Sequence, residues 1–166
     1  MARDKRLPFD PIDEAARQWR QRWDGTEQMH AVTSLMRVQQ LLLGRLDDVL
    51  RRHGLTFARY EALVLLTFSR TGALPLGKMG ERLQVHPTSV TSIVQRLESA
   101  GLVCRRRHPE DGRAVLAEIT PAGRSLVEAA TADLVADRFG LGDVPAADLG
   151  ELSALLKPVR ERAGDF

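Results

Sequence analysis

Residues 76–101, LGKMGERLQVHPTSVTSIVQRLESAG, carry two apolar stripes of helical spacing separated by a very short connection. Leu76, Met79 and Leu83 recur at intervals of three and four, and Val90, Ile93, Val94 and Leu97 do the same further on. Gln84-Val85-His86 leaves room only for a sharp turn. Pro87 suits the first position of a helix, where no N–H is needed and φ is already set, and Gly101 suits the stop. The spacing predicts a helix-turn-helix.

Immediately afterwards the apolar period drops to two. Val103-Cys104-Arg105-Arg106-Arg107 is one expected strand and residues 114–119 are another, with Val115, Ala117 and Ile119 on one side and Leu116 and Glu118 on the other. Between them Pro109-Glu110-Asp111-Gly112 supplies turn residues, so the pair reads as a hairpin. A helix-turn-helix followed at once by a hairpin is the winged-helix order.

Working outward, Asp10-Pro11 opens an N-terminal helix with the stripe Ile12, Ala15, Ala16, Trp19 and Trp23, ended by Gly25. A second helix is expected over residues 27–53, burying Met29, Val32, Leu35, Met36, Leu42, Leu46, Val49 and Leu50 and stopping at Gly54. Thr56 caps a third, with Phe57, Tyr60, Leu63, Val64 and Phe68 inward and Thr71-Gly72 as its break. Beyond the hairpin, Thr120-Pro121 starts a helix to about Phe139 with Leu126, Val127, Ala130, Leu134 and Val135 inward. Pro145 starts a last one bearing Leu149, Leu152, Leu155, Leu156 and Val159, which Pro158 should kink or fray.

The fold expected is therefore mainly α with a small β-hairpin. It divides into an arm over residues 1–9, N-terminal helices over 10–72, a winged helix-turn-helix lobe over 73–120 and C-terminal helices over 121–166. The terminal helices hold more apolar surface than a small winged lobe can cover, and a homodimer interface is the simplest sink for it.

A formal net charge of +2 hides an uneven distribution. Residues 78–113 contain seven basic side chains, Lys78, Arg82, Arg96, Arg105, Arg106, Arg107 and Arg113, against four acids, Glu81, Glu98, Glu110 and Asp111. Such a local excess suits phosphate. The outward face of the second short helix is built from Thr88, Thr91, Ser92, Gln95 and Ser99, where a solubilising face would carry Glu and Lys. Small hydroxyls and an amide let a helix approach base edges closely and both donate and accept there. Arg96 at the edge of that face can reach a phosphate or a guanine, or pair with acids near Glu98 or on the wing. Arg105, Arg106 and Arg107 line the strand and are suited to the backbone of the duplex, and Arg113 at the hairpin tip is suited to the minor groove, the alternative for at least one of them being a salt bridge within the wing, where Glu110 and Asp111 are adjacent acids.

Residues 83–91 (LQVHPTSVT), Arg96-Leu97-Glu98, Gly101-Leu102-Val103, Asp111-Gly112-Arg113 and residues 116–123 (LAEITPAG) together resemble the MarR family of regulators. The Asp-x-Arg wing followed by the Thr-x-x-Gly helix start is the more discriminating part. The resemblance implies a mainly helical homodimer with intertwined terminal helices and one recognition helix and wing per subunit. By position it assigns Thr88, Ser89, Thr91, Ser92 and Gln95 to the major groove of double-stranded DNA and Arg113 to the minor groove. The N-terminal helix with Trp19 further resembles the urate-responsive branch, which implies a small anionic effector near Trp19 and near Glu61, where that branch places an acid. No arginine stands near Ile93 and Val94 where the branch has one, so the resemblance reaches the pocket and stops short of urate. Arg59 offers a cation on the same helix as Glu61.

Other classes find little to stand on. There is no glycine-rich phosphate loop, nucleophile elbow or paired-cysteine spacing, and His30, His53, His86 and His108 are scattered, so neither catalysis, a cofactor nor a metal is expected. The single cysteine, Cys104, cannot close an internal disulfide, and no apolar run approaches the roughly 20 residues of a membrane span; a cytoplasmic protein is expected. The competing reading is a winged-helix module that binds protein and not DNA.

Overall fold

A computed structural model of the chain describes residues 7–109 and 114–166. Arg113 and the Glu110-Asp111-Gly112 part of the expected turn lie outside the described residues, as do the first six residues of the expected arm. Two compact units divide the chain between Gly44 and Arg45.

In the first unit, α1 (Pro11–Trp19) starts as read: the Asp10 carboxylate accepts from the amides of Ile12 at 2.8 Å and Asp13 at 3.3 Å, with Pro11 at the first helical position. The helix ends at Trp19, earlier than the apolar stripe suggests, and Trp23 sits 57% exposed in the turn that follows. Ala16 and Thr26 are buried, and the His30 ring nitrogen lies 2.8 Å from the Asp13 carboxylate, which ties α1 to the first turns of α2 (Thr26–Leu50). On this part of α2 the apolar side chains expected inside are in fact open to solvent in the single chain. Val32, Leu35 and Met36 stand with Val38 and Leu41 among the exposed large hydrophobics.

The second unit takes the end of α2, a 3-10 turn at Arg51–His53 closed by Gly54 at φ 66°, and everything after it. Its helices are α3 (Phe57–Phe68), α4 (Leu76–Leu83), α5 (Pro87–Ser99), α6 (Pro121–Ala136) and α7 (Ala146–Arg162), with β1 (Ala73–Pro75), β2 (Val103–Arg107) and β3 (Val115–Ile119). The hairpin is not alone. β1 pairs antiparallel with β3, Leu74 opposite Ala117, so the sheet has three strands in the order β1-β3-β2. Three residues that include a proline give no alternation to read, and their strand identity comes from a partner more than forty positions away.

The core is centred on α3, which packs on α4, α5, α6 and β3. Leu50, Leu63, Leu66, Met79, Val90, Val94, Leu97, Val103, Ala117 and Leu134 are essentially inaccessible; each of the larger ones contributes about 1.5–3 kcal/mol by leaving water. Two residues expected inward, Phe68 and Val135, do not belong to it, and neither does α7. Phe68, in the last turn of α3, is 83% exposed because Leu66 holds the inward position there, Val135 on α6 is 59% exposed, and no residue of α7 is buried. Pro158 does not end α7, which runs on to Arg162. No described helix is long and apolar enough to cross a membrane.

Candidate nucleic-acid interface

The turn between α4 and α5 is built by local backbone chemistry. Gln84 takes the left-handed conformation at φ 52°, which lets the Val85 amide reach back to the Gly80 carbonyl at 3.2 Å. Gly80 is small for a reason: a Cβ there would stand 3.3 Å from both the Val85 carbonyl oxygen and a Val90 methyl, so the two helices cross with nothing to spare. His86 is extended and serves as the N-cap of α5. Its Nδ1 accepts from the Thr88 amide at 3.3 Å and lies 3.1 Å from the Thr88 hydroxyl. Its place at a helix end, just before Pro87, is the sequence signal for such an exposed or capping role.

With α5 anchored by Val90, Val94 and Leu97, its opposite face is left to solvent. Thr88, Ser89, Thr91, Ser92, Gln95 and Arg96 are all exposed. Two of the hydroxyls are already engaged, Thr88 with the His86 ring and Thr91 with the Pro87 carbonyl at 3.0 Å. The side chains of Ser89, Ser92, Gln95 and Arg96 make no hydrogen bond or ion pair among the described residues. They are the groups free to meet a ligand.

The three strand arginines, which look equivalent in sequence, differ in the structure. Arg105 lies 3.3 Å from the Glu98 carboxylate and Arg106 lies 2.7 Å from Glu118, while Arg107 has no such partner among the described residues. The neighbouring Cys104 sulfur, followed by the Glu118 charge, raises the Arg106 guanidinium above its ordinary pKa. Neither Glu98 nor Glu118 was legible as a partner from spacing.

The expected effector residues fall in different places. Trp19 belongs to the first unit, where its indole N–H donates to the Asp24 carbonyl at 2.8 Å and its ring lies 4.8 Å from that of Trp23. Arg59, in the second unit, donates from Nε to the Thr56 hydroxyl at 3.2 Å. Thr56 occupies the N-cap position of α3 without capping it; the Asp47 carboxylate does so instead, accepting from the Phe57 amide at 2.7 Å. Arg59 and Thr56 then line a cavity of about 230 Å³ with Ser92, Ile93 and Arg96 of α5. Glu61 is two residues on, about 200° round the helix, and does not line it. Partial burial raises the Glu61 carboxyl above the usual carboxylate range. Among the described residues no three His, Cys, Asp or Glu side chains gather closely enough to hold a metal ion.

A two-helix element with a crowded glycine crossing, an open hydroxyl-rich face on its second helix and a basic antiparallel strand pair behind it defines a winged helix-turn-helix DNA-binding protein. Comparison with known proteins agrees. The MarR family model matches residues 58–115. The organic hydroperoxide resistance transcriptional regulator of Bacillus subtilis (strain 168) is 34% identical over 113 residues, which cover 68% of this chain and 75% of the relative. The crystal structure of Sco5413, a MarR family transcriptional regulator from Streptomyces coelicolor, is 58% identical with a TM-score of 0.80, covering 86% of this chain and 99% of that one. Sco3205 of the same organism, a MarR family regulator crystallised in complex with DNA, shares the fold at a TM-score of 0.75 and 24% identity over 84% of this chain and 89% of its own. The chain belongs to the MarR family of transcriptional regulators, DNA-binding proteins without enzymatic activity.

Proposed function

We propose that the protein is a homodimeric repressor that reads a pseudo-palindromic operator with α5 in the major groove. The observation that carries this reading is the exposed face of α5, where Ser89, Ser92 and Gln95 present unengaged donors and acceptors beside Thr88 and Thr91. Arg96, Arg106 and Arg107 supply backbone contacts, Arg106 sharing its charge with Glu118, and Arg113 reaches the minor groove. Such a substrate sets the protein to work in the cytoplasm. Dimerisation is supported by apolar side chains left open in the single chain, Val32, Leu35 and Met36 on α2 and Leu152, Leu155 and Val159 on α7. One recognition helix per subunit then requires half-sites about 10 base pairs apart.

An anionic effector completes the reading. The two guanidinium groups and two hydroxyls around the Arg59–Arg96 cavity suit a small carboxylate or phenolate, and an anion there competes directly for Ser92 and Arg96. Footprinting of the purified protein on its own promoter tests the whole. It should protect two half-sites with an affinity that falls log-linearly with salt, and protection at a single half-site by a monomer overturns it.

A further inference from the structure

Arg105 sits in the middle of β2, paired in register with Ala117. The sequence puts it among the phosphate contacts, but its side chain is turned onto the recognition helix. Its Nε lies 3.3 Å from Glu98 Oε2, its backbone N–H donates to the other carboxylate oxygen at 3.2 Å, and its Nη2 lies 3.5 Å from the Thr91 carbonyl oxygen. Thr91 and Glu98 are seven residues apart and therefore stand two turns apart on one face of α5. Only 32% of the arginine side chain stays accessible.

Glu98 is also out of place electrically. It is the one acid on α5, whose sequence is PTSVTSIVQRLES. A carboxylate on a helix that approaches phosphates weakens binding by repulsion unless it serves another purpose. Here both of its oxygens are spent on a single residue, which fixes the distance and the direction of β2 relative to the helix.

We propose that Arg105 is a positioning residue, clamped by Glu98 and the Thr91 carbonyl so that the wing strand and two turns of the recognition helix meet the duplex as one rigid unit, and that it neutralises no phosphate. The proposal rests on the DNA-reading role of α5 given above. Arg107, two residues further along β2, stays available to the backbone of the duplex.

The test compares Arg105→Gln, Glu98→Gln, the double variant and Arg107→Gln with the parent. Each is titrated against the protected promoter duplex and a mixed-sequence duplex over a range of salt. Arg105 Nε–H exchange is followed by NMR in the free proteins. Both clamp residues are partly exposed, so melting curves should show all variants folded. Arg105→Gln and Glu98→Gln should each weaken promoter binding about tenfold, the scale of one charge-assisted hydrogen bond. Mixed-sequence binding and the salt slope should not move, and the double variant should be no worse than the weaker single. Arg107→Gln should instead lower the slope by about 0.9. In the free parent the Arg105 Nε–H should exchange slowly and lose that protection in Glu98→Gln. A salt slope that falls by about one in Arg105→Gln, tighter promoter binding by Glu98→Gln as mere loss of a negative charge would give, or multiplying losses in the double variant overturns the proposal alone. So does an Nε–H that exchanges freely in the parent. A parent that binds no duplex overturns the DNA-reading role and this proposal with it.

Discussion

Gly123 packs so closely beneath Leu102 that a Cβ built on it would overlap the Leu102 carbonyl oxygen and stand 2.9 Å from an Ile119 methylene. Thr120 makes that approach possible. Its hydroxyl donates to the Gly101 carbonyl at 2.8 Å and accepts from the Gly123 amide at 3.1 Å, while its own N–H donates to Leu102 at 3.0 Å. The Thr-x-x-Gly pattern is thus a joint between the end of β3, the loop after α5 and the start of α6. Gly123→Ala should cost about 1–3 kcal/mol, the usual penalty of overpacking against backbone that cannot yield. Urea unfolding measures it, and an unchanged midpoint refutes the tight approach.

His86 predicts a second stability effect, at the other end of the reading element. Its ring nitrogen caps α5 by accepting from the Thr88 amide. His86→Ala should lower stability by about 1 kcal/mol, and His86→Asn, whose side-chain oxygen can take over the same bond, should restore it. Thermal melting of the two variants decides the matter; equal losses mean that the ring contributes something other than a cap.

Reading and anchoring separate on the DNA side. Gln95 is exposed with no side-chain partner among the described residues, so Gln95→Ala should change the preferred base at one position of each half-site more than it changes affinity for mixed-sequence DNA. Arg113→Ala should weaken operator binding by about 1–3 kcal/mol and reduce the salt slope by about one. Selection of binding sites from a random pool checks the first and salt titration the second. Recovery of the parent's preferred sequence by the glutamine variant removes that residue from base readout.

What was legible in the sequence is what depends on near neighbours. Asp10-Pro11 and Thr120-Pro121 announce their helices because a cap and its amides lie within three residues, and the stripes through α4 and α5 name Met79, Val90, Val94 and Leu97, all of which are buried. β1 was not legible, since Leu74 becomes a strand residue only by pairing with Ala117. An apolar stripe also states a need for cover without saying what covers it, which is why Val32 and Val135 read as inward and yet stand exposed in the single chain. Within the site, the outward face of α5 was readable from its period. The bond between Glu98 and Arg105 was not, because it depends on how the hairpin crosses the helix, and spacing carries no crossing angle.

Glu61 gives a pH-dependent prediction whose sign follows from its environment. Burial is the cause that raises its carboxyl, and among the described residues no neighbouring cation offsets it. The folded protein therefore holds that proton more tightly than the unfolded chain, in which a glutamate titrates near about 4.3. The stability this represents is fully present below that unfolded value and is lost as pH rises through the folded one. Glu61→Gln cannot ionise, so it escapes the loss. Its melting temperature should match the parent's in acid below about pH 4 and exceed it at neutral pH, by an amount that the partial exposure of the group keeps small. Melting curves at the two pH values check this directly. A variant that is less stable than the parent at neutral pH would mean that the Glu61 carboxylate is held by a positive or hydrogen-bonding partner, as an effector-pocket acid would be in the assembled dimer, and that this partner outweighs the burial.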